Sequence, residues 1–145
     1  VNEVSPNGAK TPRSFRVETF LHLNKLVESV QEQISRSLSP FGLTPSQFGA
    51  LEVLHVRGGV KQREIAESLM KTGGNITMVV DNLVKDGLVE RTKSPLDRRQ
   101  SIVELTPKGR VLIEEVGPVY SKAVESALSG LSDSDCDLIR GLTLG

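Results

Sequence analysis

KQREIAESLMKTGGNITMVVDNLVKDGLVERTKSPLDRRQSIVEL, residues 61–105, decides how this chain folds, because the spacing of its apolar residues changes partway along. Ile65, Ala66 and Leu69 mark the inner face of a short helix over Lys61–Leu69. After a break at Lys71–Gly74, the residues Ile76, Val79, Val80, Leu83 and Val84 fall at i, i+3, i+4, i+7 and i+8. That spacing predicts an amphipathic helix over Asn75–Asp86, closed by Gly87. The period then drops to two. Leu88–Lys93 and Gln100–Leu105 are β-rich runs around the polar, basic tip Ser94-Pro95-Leu96-Asp97-Arg98-Arg99, which predicts a hairpin. Two short helices joined by a tight break and followed by a hairpin make a winged helix-turn-helix.

The flanking sequence is helical on both sides. Phe20, Leu23, Val27, Val30, Ile34 and Leu38 form one apolar stripe on a helix over Arg16–Leu38, stopped by Pro40 and Gly42. Thr44-Pro45-Ser46-Gln47 has an N-cap Thr, a Pro at the first helical position and a Gln at N3, the pattern of a capping box. It opens a helix to about Arg57 that buries Phe48, Leu51 and Leu54 and ends at Gly58-Gly59. Thr106-Pro107 opens a long helix to about Ser129, in which Pro118 is expected to cause a kink or a local break, and Ser132 caps a last helix. The fold class is therefore mainly α (α+β): residues 16–145 form one domain, with the helix-turn-helix at 61–85 and the wing at 88–105. Long terminal helices at 16–38 and 107–145 are read as dimerisation helices, and residues 1–15 as a disordered or loosely ordered N-terminal segment. The stripe on the first helix, together with Val116, Val119, Val124, Ala127, Leu128 and Leu131, exceeds what one small lobe can bury, so a homodimer is expected.

Composition excludes several functions. The 145 residues are 37% hydrophobic and 25% charged, with 3% aromatics and no Trp, as expected of one soluble domain with an aliphatic core. No run approaches the roughly 20 apolar residues that span a bilayer, so no membrane partner is expected. The opening residues lack an apolar h-region and do not read as a signal peptide. Cys136 is the only cysteine, so no intrachain disulfide can form, and a cytoplasmic setting is expected. Asp135 and Asp137 beside it disfavour the thiolate. His22 and His55 stand far apart with no other ligand at metal spacing, no Gly-rich phosphate loop follows a strand, and no nucleophile–base pair can be assembled. Neither a catalytic site, a metal nor a cofactor is expected. Net charge is zero, yet residues 55–110 hold 11 Lys and Arg against 7 Asp and Glu, while residues 111–145 hold 2 against 6. A basic middle and an acidic tail suit a chain with one lobe facing phosphate.

The second short helix carries the reading chemistry. Its outward arc holds Gly74, Met78, Asp81, Asn82 and Lys85, flanked by Asn75 and Thr77. Asn pairs bidentately with adenine, Thr bonds a base or touches the thymine methyl, and Gly lets backbone approach phosphate. The candidate DNA contacts on this helix and the break before it are Lys71, Thr72, Gly73, Gly74, Asn75, Thr77, Met78 and Asn82. At the wing they are Asp97, Arg98 and Arg99, the arginines suited to a narrow minor groove and Asp97 expected to pair with Arg99. Ser46, Lys61, Gln62, Arg63 and Arg91 are candidates for the DNA backbone.

Leu43-Thr44-Pro45-Ser46-Gln47, Ile65-Ala66-Glu67, Asn75-Ile76-Thr77, Val80-Asp81-Asn82-Leu83, Gly87-Leu88-Val89-Glu90-Arg91, Asp97-Arg98-Arg99 and Leu105-Thr106-Pro107-Lys108-Gly109 closely resemble the MarR family of regulators, in order and across nearly all of 16–144. The resemblance implies a triangular homodimer paired through its first and last helices. It implies repression from pseudo-palindromic double-stranded operators, with release by a small phenolic or lipophilic effector in many members. The family's ligand pocket lies between the dimer helices and the DNA-binding lobe, which makes Phe20, His22, Phe41, Phe48, His55 and Tyr120 the candidates here. Many members carry Ser or Arg where this chain has Gly73, Gly74, Met78 and Asn82. Fewer direct base contacts are therefore expected, with more weight on Asn75, Thr77, the wing arginines and operator shape. A winged-helix module used only for protein assembly is the alternative.

Overall fold

The computed structural model describes residues 14–70 and 73–143. Helix α1 (Phe15–Leu38) leads through a single 3-10 turn at Ser39–Phe41 to α2 (Pro45–Arg57). Then follow α3 (Gln62–Ser68), α4 (Gly73–Lys85), strands β1 (Val89–Lys93) and β2 (Ser101–Leu105), α5 (Pro107–Ala127) and α6 (Asp133–Thr143). This is the expected mainly α winged helix-turn-helix with long terminal helices. The expected boundaries shift by one or two residues, as helix ends commonly do. Residues 1–13, Lys71, Thr72, Leu144 and Gly145 lie outside the described residues.

Capping fixes where the helices start. Thr44 and Gln47 form a reciprocal box at α2, the Gln47 N–H donating to Thr44 Oγ1 at 3.2 Å and the Thr44 N–H to Gln47 Oε1 at 2.9 Å. At α6, Ser132 Oγ and its N–H both donate to Asp135 Oδ2, and these bonds hold the Asp135 carboxyl below its ordinary range. Helix α5 runs uninterrupted through Pro118. The missing N–H removes one bond from the ladder without ending it.

The core is aliphatic and belongs to the lobe. Leu43, Phe48, Leu51 and Leu54 meet Ile65, Ala66, Ile76, Val80 and Leu83, closed by Leu88, Val89, Val103, Leu105, Ile113 and Val116. Only Ile34 and Leu38 of α1 enter it. Val116 was expected to await a partner but has no exposed surface within its own chain, where it belongs to the core of the lobe. The rest of the α1 stripe is open: Phe20 is 60% exposed, Leu23 51% and Val27 52%.

The wing is a two-stranded antiparallel sheet in which Val89 faces Leu105 and Lys93 faces Ser101. It gains a third partner that the sequence pattern does not show: Val60 exchanges both backbone bonds with Val103, at 3.1 and 2.8 Å. Gly58, at φ +77 and ψ −156, turns the chain out of α2 into this position, a conformation open essentially to glycine alone.

The base of the wing is tied on its other side. Gly87 at φ +71 ends α4, with the Leu88 N–H donating to the Leu83 carbonyl at 2.9 Å and the Gly87 N–H to the Val84 carbonyl at 3.0 Å, a Schellman close. Thr106 caps α5 by accepting from the Gly109 N–H, and its hydroxyl donates to the Gly87 carbonyl at 2.7 Å. The Thr106 N–H donates to the Leu88 carbonyl at 3.1 Å. Lys108 Nζ donates to the Asp86 carbonyl at 2.7 Å, a cation at the C-terminal end of α4. Gly109 sits so close to the Leu88 carbonyl that a Cβ there would collide with it. Gly109→Ala is expected to cost about 1–3 kcal/mol, read as a lower thermal midpoint. Gly117→Ala, at a helical site where an added Cβ meets open space, is expected to gain about 0.5–1 kcal/mol. A Gly109→Ala midpoint equal to the parent's would contradict this close approach.

Candidate nucleic-acid interface

Helix α4 buries Ile76, Val79, Val80 and Leu83 and turns Gly74, Asn75, Thr77, Met78, Asp81, Asn82 and Lys85 outward. One flank of that outward face is tied to the rest of the lobe. Gln62 of α3 donates from Nε2 to Thr77 Oγ1 at 2.8 Å, and its Oε1 accepts from Arg91 Nη2 at 3.1 Å. The same Arg91 nitrogen donates to Asp81 Oδ1 at 2.6 Å. Four side chains from α3, α4 and β1 thus form one network, Thr77–Gln62–Arg91–Asp81. Gln62 and Arg91, read from the sequence as backbone contacts, are also what hold α4 in place. Asp81 appeared in the sequence only as one outward residue among several. Its partner lies across the lobe, and no local period announces it.

The other cations divide into paired and unpaired. Arg63 is bonded to Glu67 at 2.7 Å, which raises its pKa further above the ordinary range, and Arg57 to Glu64 at 2.8 Å. Lys61 is exposed at the start of α3, and Ser46 is half-buried in the first turn of α2. Lys71 and Thr72 lie outside the described residues, and Gly73 begins α4. Just before them, Met70 takes a left-handed φ of +53, uncommon for a residue with a side chain. It turns the chain between the two helices.

At the wing tip the expected pairing is corrected. Asp97 does not meet the Arg99 guanidinium. Its Oδ1 accepts from the Arg99 backbone N–H at 3.0 Å and its Oδ2 from Gln100 Nε2 at 3.2 Å. A short carboxylate in a turn reaches the N–H two residues ahead more easily than a long side chain can fold back. Asp97 therefore fixes the tip through its main chain. Arg98 and Arg99 are exposed, and neither guanidinium has an ion-pair partner among the described residues.

The candidate ligand residues separate. Buried Phe48 stacks on half-buried Tyr120, with ring centroids 4.3 Å apart and planes at 20°. Burial and the Glu52 charge push the Tyr120 phenol up, so it stays protonated at neutral pH. Phe41 packs against the core nearby in sequence, whereas His22 and His55 are exposed. Phe20 lines a shallow hollow with Phe15, Thr19 and Leu23. Among the described residues, no group of His, Cys, Asp and Glu could hold a metal ion, and no helix is long and apolar enough to cross a membrane.

Comparison with known proteins agrees with this geometry. A family model described as the MarR family matches residues 41–100. The chain is 34% identical over 110 residues to an uncharacterized HTH-type transcriptional regulator, YkoM of Bacillus subtilis (strain 168), covering 76% of this chain and 71% of the relative. CouR of Rhodococcus jostii RHA1, solved bound to p-coumaroyl-CoA, superposes with a TM-score of 0.80 at 25% identity, over 91% of this chain and 93% of that one. Bordetella bronchiseptica BpsR, whose DNA binding is regulated by 6-hydroxynicotinic acid, shares the fold with a TM-score of 0.83 at 24% identity, over 92% and 95%.

The four-residue network predicts a measurable coupling. Arg91→Ala and Asp81→Ala should each lower stability slightly and should be non-additive by about 0.2–1 kcal/mol, as for a partly exposed pair. Chemical denaturation of the parent, the two single variants and the double variant measures it. Strict additivity would mean that the pair does not hold α4.

Proposed function

This chain belongs to the MarR family of DNA-binding transcriptional regulators, and from that premise we propose that it is a homodimeric repressor acting on a pseudo-palindromic operator. The observation that carries the proposal is the outer face of α4. Its residues Gly74, Met78, Asn82 and Lys85 are exposed while the helix itself is bonded to α3 and β1. A helix held in this way, with an uncovered face of glycine, thioether, amide and a single lysine, suits insertion into a major groove. The wing arginines Arg98 and Arg99, free of carboxylate partners, suit the adjacent minor groove. Lys61 and the α3 face are the phosphate-facing shoulder in this reading.

The dimer follows from surface left open. Leu23, Val27 and Val30 of α1 line an apolar cavity of about 530 Å³ with Leu128, Leu131 and Ile139. Leu138 and Leu142 of α6 are also exposed. A second copy covering both helices would bury this surface about a two-fold axis. For the effector we propose a small aromatic or lipophilic molecule bound beside the Phe48–Tyr120 stack, where rings and one protonated phenol are already in place. CouR, solved with p-coumaroyl-CoA, and BpsR, whose DNA binding is regulated by 6-hydroxynicotinic acid, share an aromatic ring in the molecule concerned, which supports this choice.

The test is duplex binding as a function of salt, using an operator selected from a random pool. A dimer with several phosphate contacts should give log K against log [salt] a steep negative slope, and Arg98→Ala and Arg99→Ala, each removing one contact from each of two lobes, should each reduce its magnitude by about 2. A slope near zero would leave the protein-assembly reading in its place. Leu23→Glu is expected to convert the dimer to monomer in sedimentation, and to weaken operator binding with it.

A further inference from the structure

Resting on the DNA-binding reading above, we infer that Met78 and Asn82 read one T·A-containing step in each half-site, Met78 against a thymine methyl and Asn82 against an adjacent adenine edge. The argument starts from which flank of α4 is free. At about 100° per residue, Thr77 and Asp81 lie on one side of the outermost line through Gly74 and Lys85, and Met78 and Asn82 on the other. The first side is the one bonded to Gln62 and Arg91. Its polar groups are engaged within the protein, and its guanidinium is paired. Met78 and Asn82 carry no such tie: the Asn82 side-chain amide has no partner among the described residues, and Met78 is 63% exposed.

Met78 stands out chemically. The chain contains two methionines and places neither in its core, although a flexible thioether is well suited to filling core gaps. On a face otherwise made of glycine, amide and charge, Met78 is the one long apolar side chain. In a major groove, its natural counterpart is the C5-methyl group of thymine, the only apolar group that base edges present there. Asn82 follows at i+4, its Cβ about 5–6 Å from that of Met78, within one or two base steps. The asparagine amide matches adenine N6 and N7 bidentately. This shifts direct readout from Thr77, whose hydroxyl is bonded to Gln62, onto Met78 and Asn82.

The experiment uses the full chain and its selected operator. Each thymine is replaced in turn by deoxyuridine, which removes only the methyl, and each adenine by 7-deazaadenine, which removes N7. The parent is expected to lose about five- to tenfold in affinity at one thymine per half-site, on the scale of a single base contact. Met78→Ala should bind the thymine and uracil operators equally, while Met78→Leu keeps the discrimination. Asn82→Ala should lose sensitivity to 7-deazaadenine within two base pairs of that thymine. Thermal midpoints of both variants check that the exposed substitutions leave the fold intact. Indifference of the parent to every deoxyuridine, with the steep salt slope retained, would overturn this inference and leave the DNA-binding reading standing. Undiminished uracil sensitivity in Met78→Ala would overturn it as well. No duplex binding under any condition would overturn both.

Discussion

Where α4 ends and α5 begins, three bonds cross the base of the wing: Thr106 N–H to the Leu88 carbonyl, Thr106 Oγ1 to the Gly87 carbonyl, and Lys108 Nζ to the Asp86 carbonyl. These carbonyls lie just beyond the C-terminal end of α4, where the helix supplies no further N–H donors of its own. The start of α5 meets them with a hydroxyl, an amide and a cation, and only glycine at 109 lets the backbones come together. A two-stranded hairpin is marginal by itself. Here it is clamped at its base by this junction and on one edge by the Val60–Val103 bridge. The wing, α4 and the long α5 are thus joined at one hydrogen-bonded junction.

The charge distribution makes sense once pairing is considered. A chain of zero net charge with a nearly neutral reading helix looks poorly suited to phosphate. Several of its central cations are structural: Arg57 and Arg63 brace α3, Arg91 braces α4 through Asp81, and Lys108 caps α4. Among the described residues of this region, Lys61, Lys85, Lys93, Arg98, Arg99 and Arg110 have no ion-pair partner, and two of these six sit at the wing tip. Because exposed pairs contribute little stability individually, their main effect is positional. They hold the outer face of α4 in register and leave the remaining lysines and arginines unpaired.

Much of this was legible in the sequence because it is local. The Thr44–Gln47 box, the Thr106-Pro107 start, the period of Ile76–Leu83 and the switch to alternation at Val103 and Leu105 are each set within a few residues, and each produced the expected element. What was not legible depends on distance. Gln62 meets Thr77 and Arg91 only after α3, α4 and β1 are packed, across separations of 15 and 29 residues. Val60 joins the wing from before α3. Asp97 gave the reverse error: its neighbour in sequence was identified, but the main-chain N–H wins over the guanidinium because the turn geometry presents it. Val116 shows the same limit for burial, since nothing in its spacing says which of two surfaces covers it.

Helix α1 is divided by burial in a way that bears on symmetry. Its last turns, with Ile34 and Leu38, dissolve into the lobe, while Phe20, Leu23 and Val27 face outward. Helix α6 goes further: its 11 residues leave Leu138, Ile139 and Leu142 exposed in their own chain. A helix of that length is marginal in water unless its apolar face is covered, and the lobe does not cover it. Under the proposed pairing, a second copy supplies the cover, so the same contact that completes α6 also repeats α4 about a two-fold axis. That repetition matters most for a neutral reading helix. In the proposed dimer each lobe would make few direct contacts, while the second lobe would bind at the high effective concentration set by the junction. Specificity then depends as much on half-site spacing as on the bases each α4 can touch.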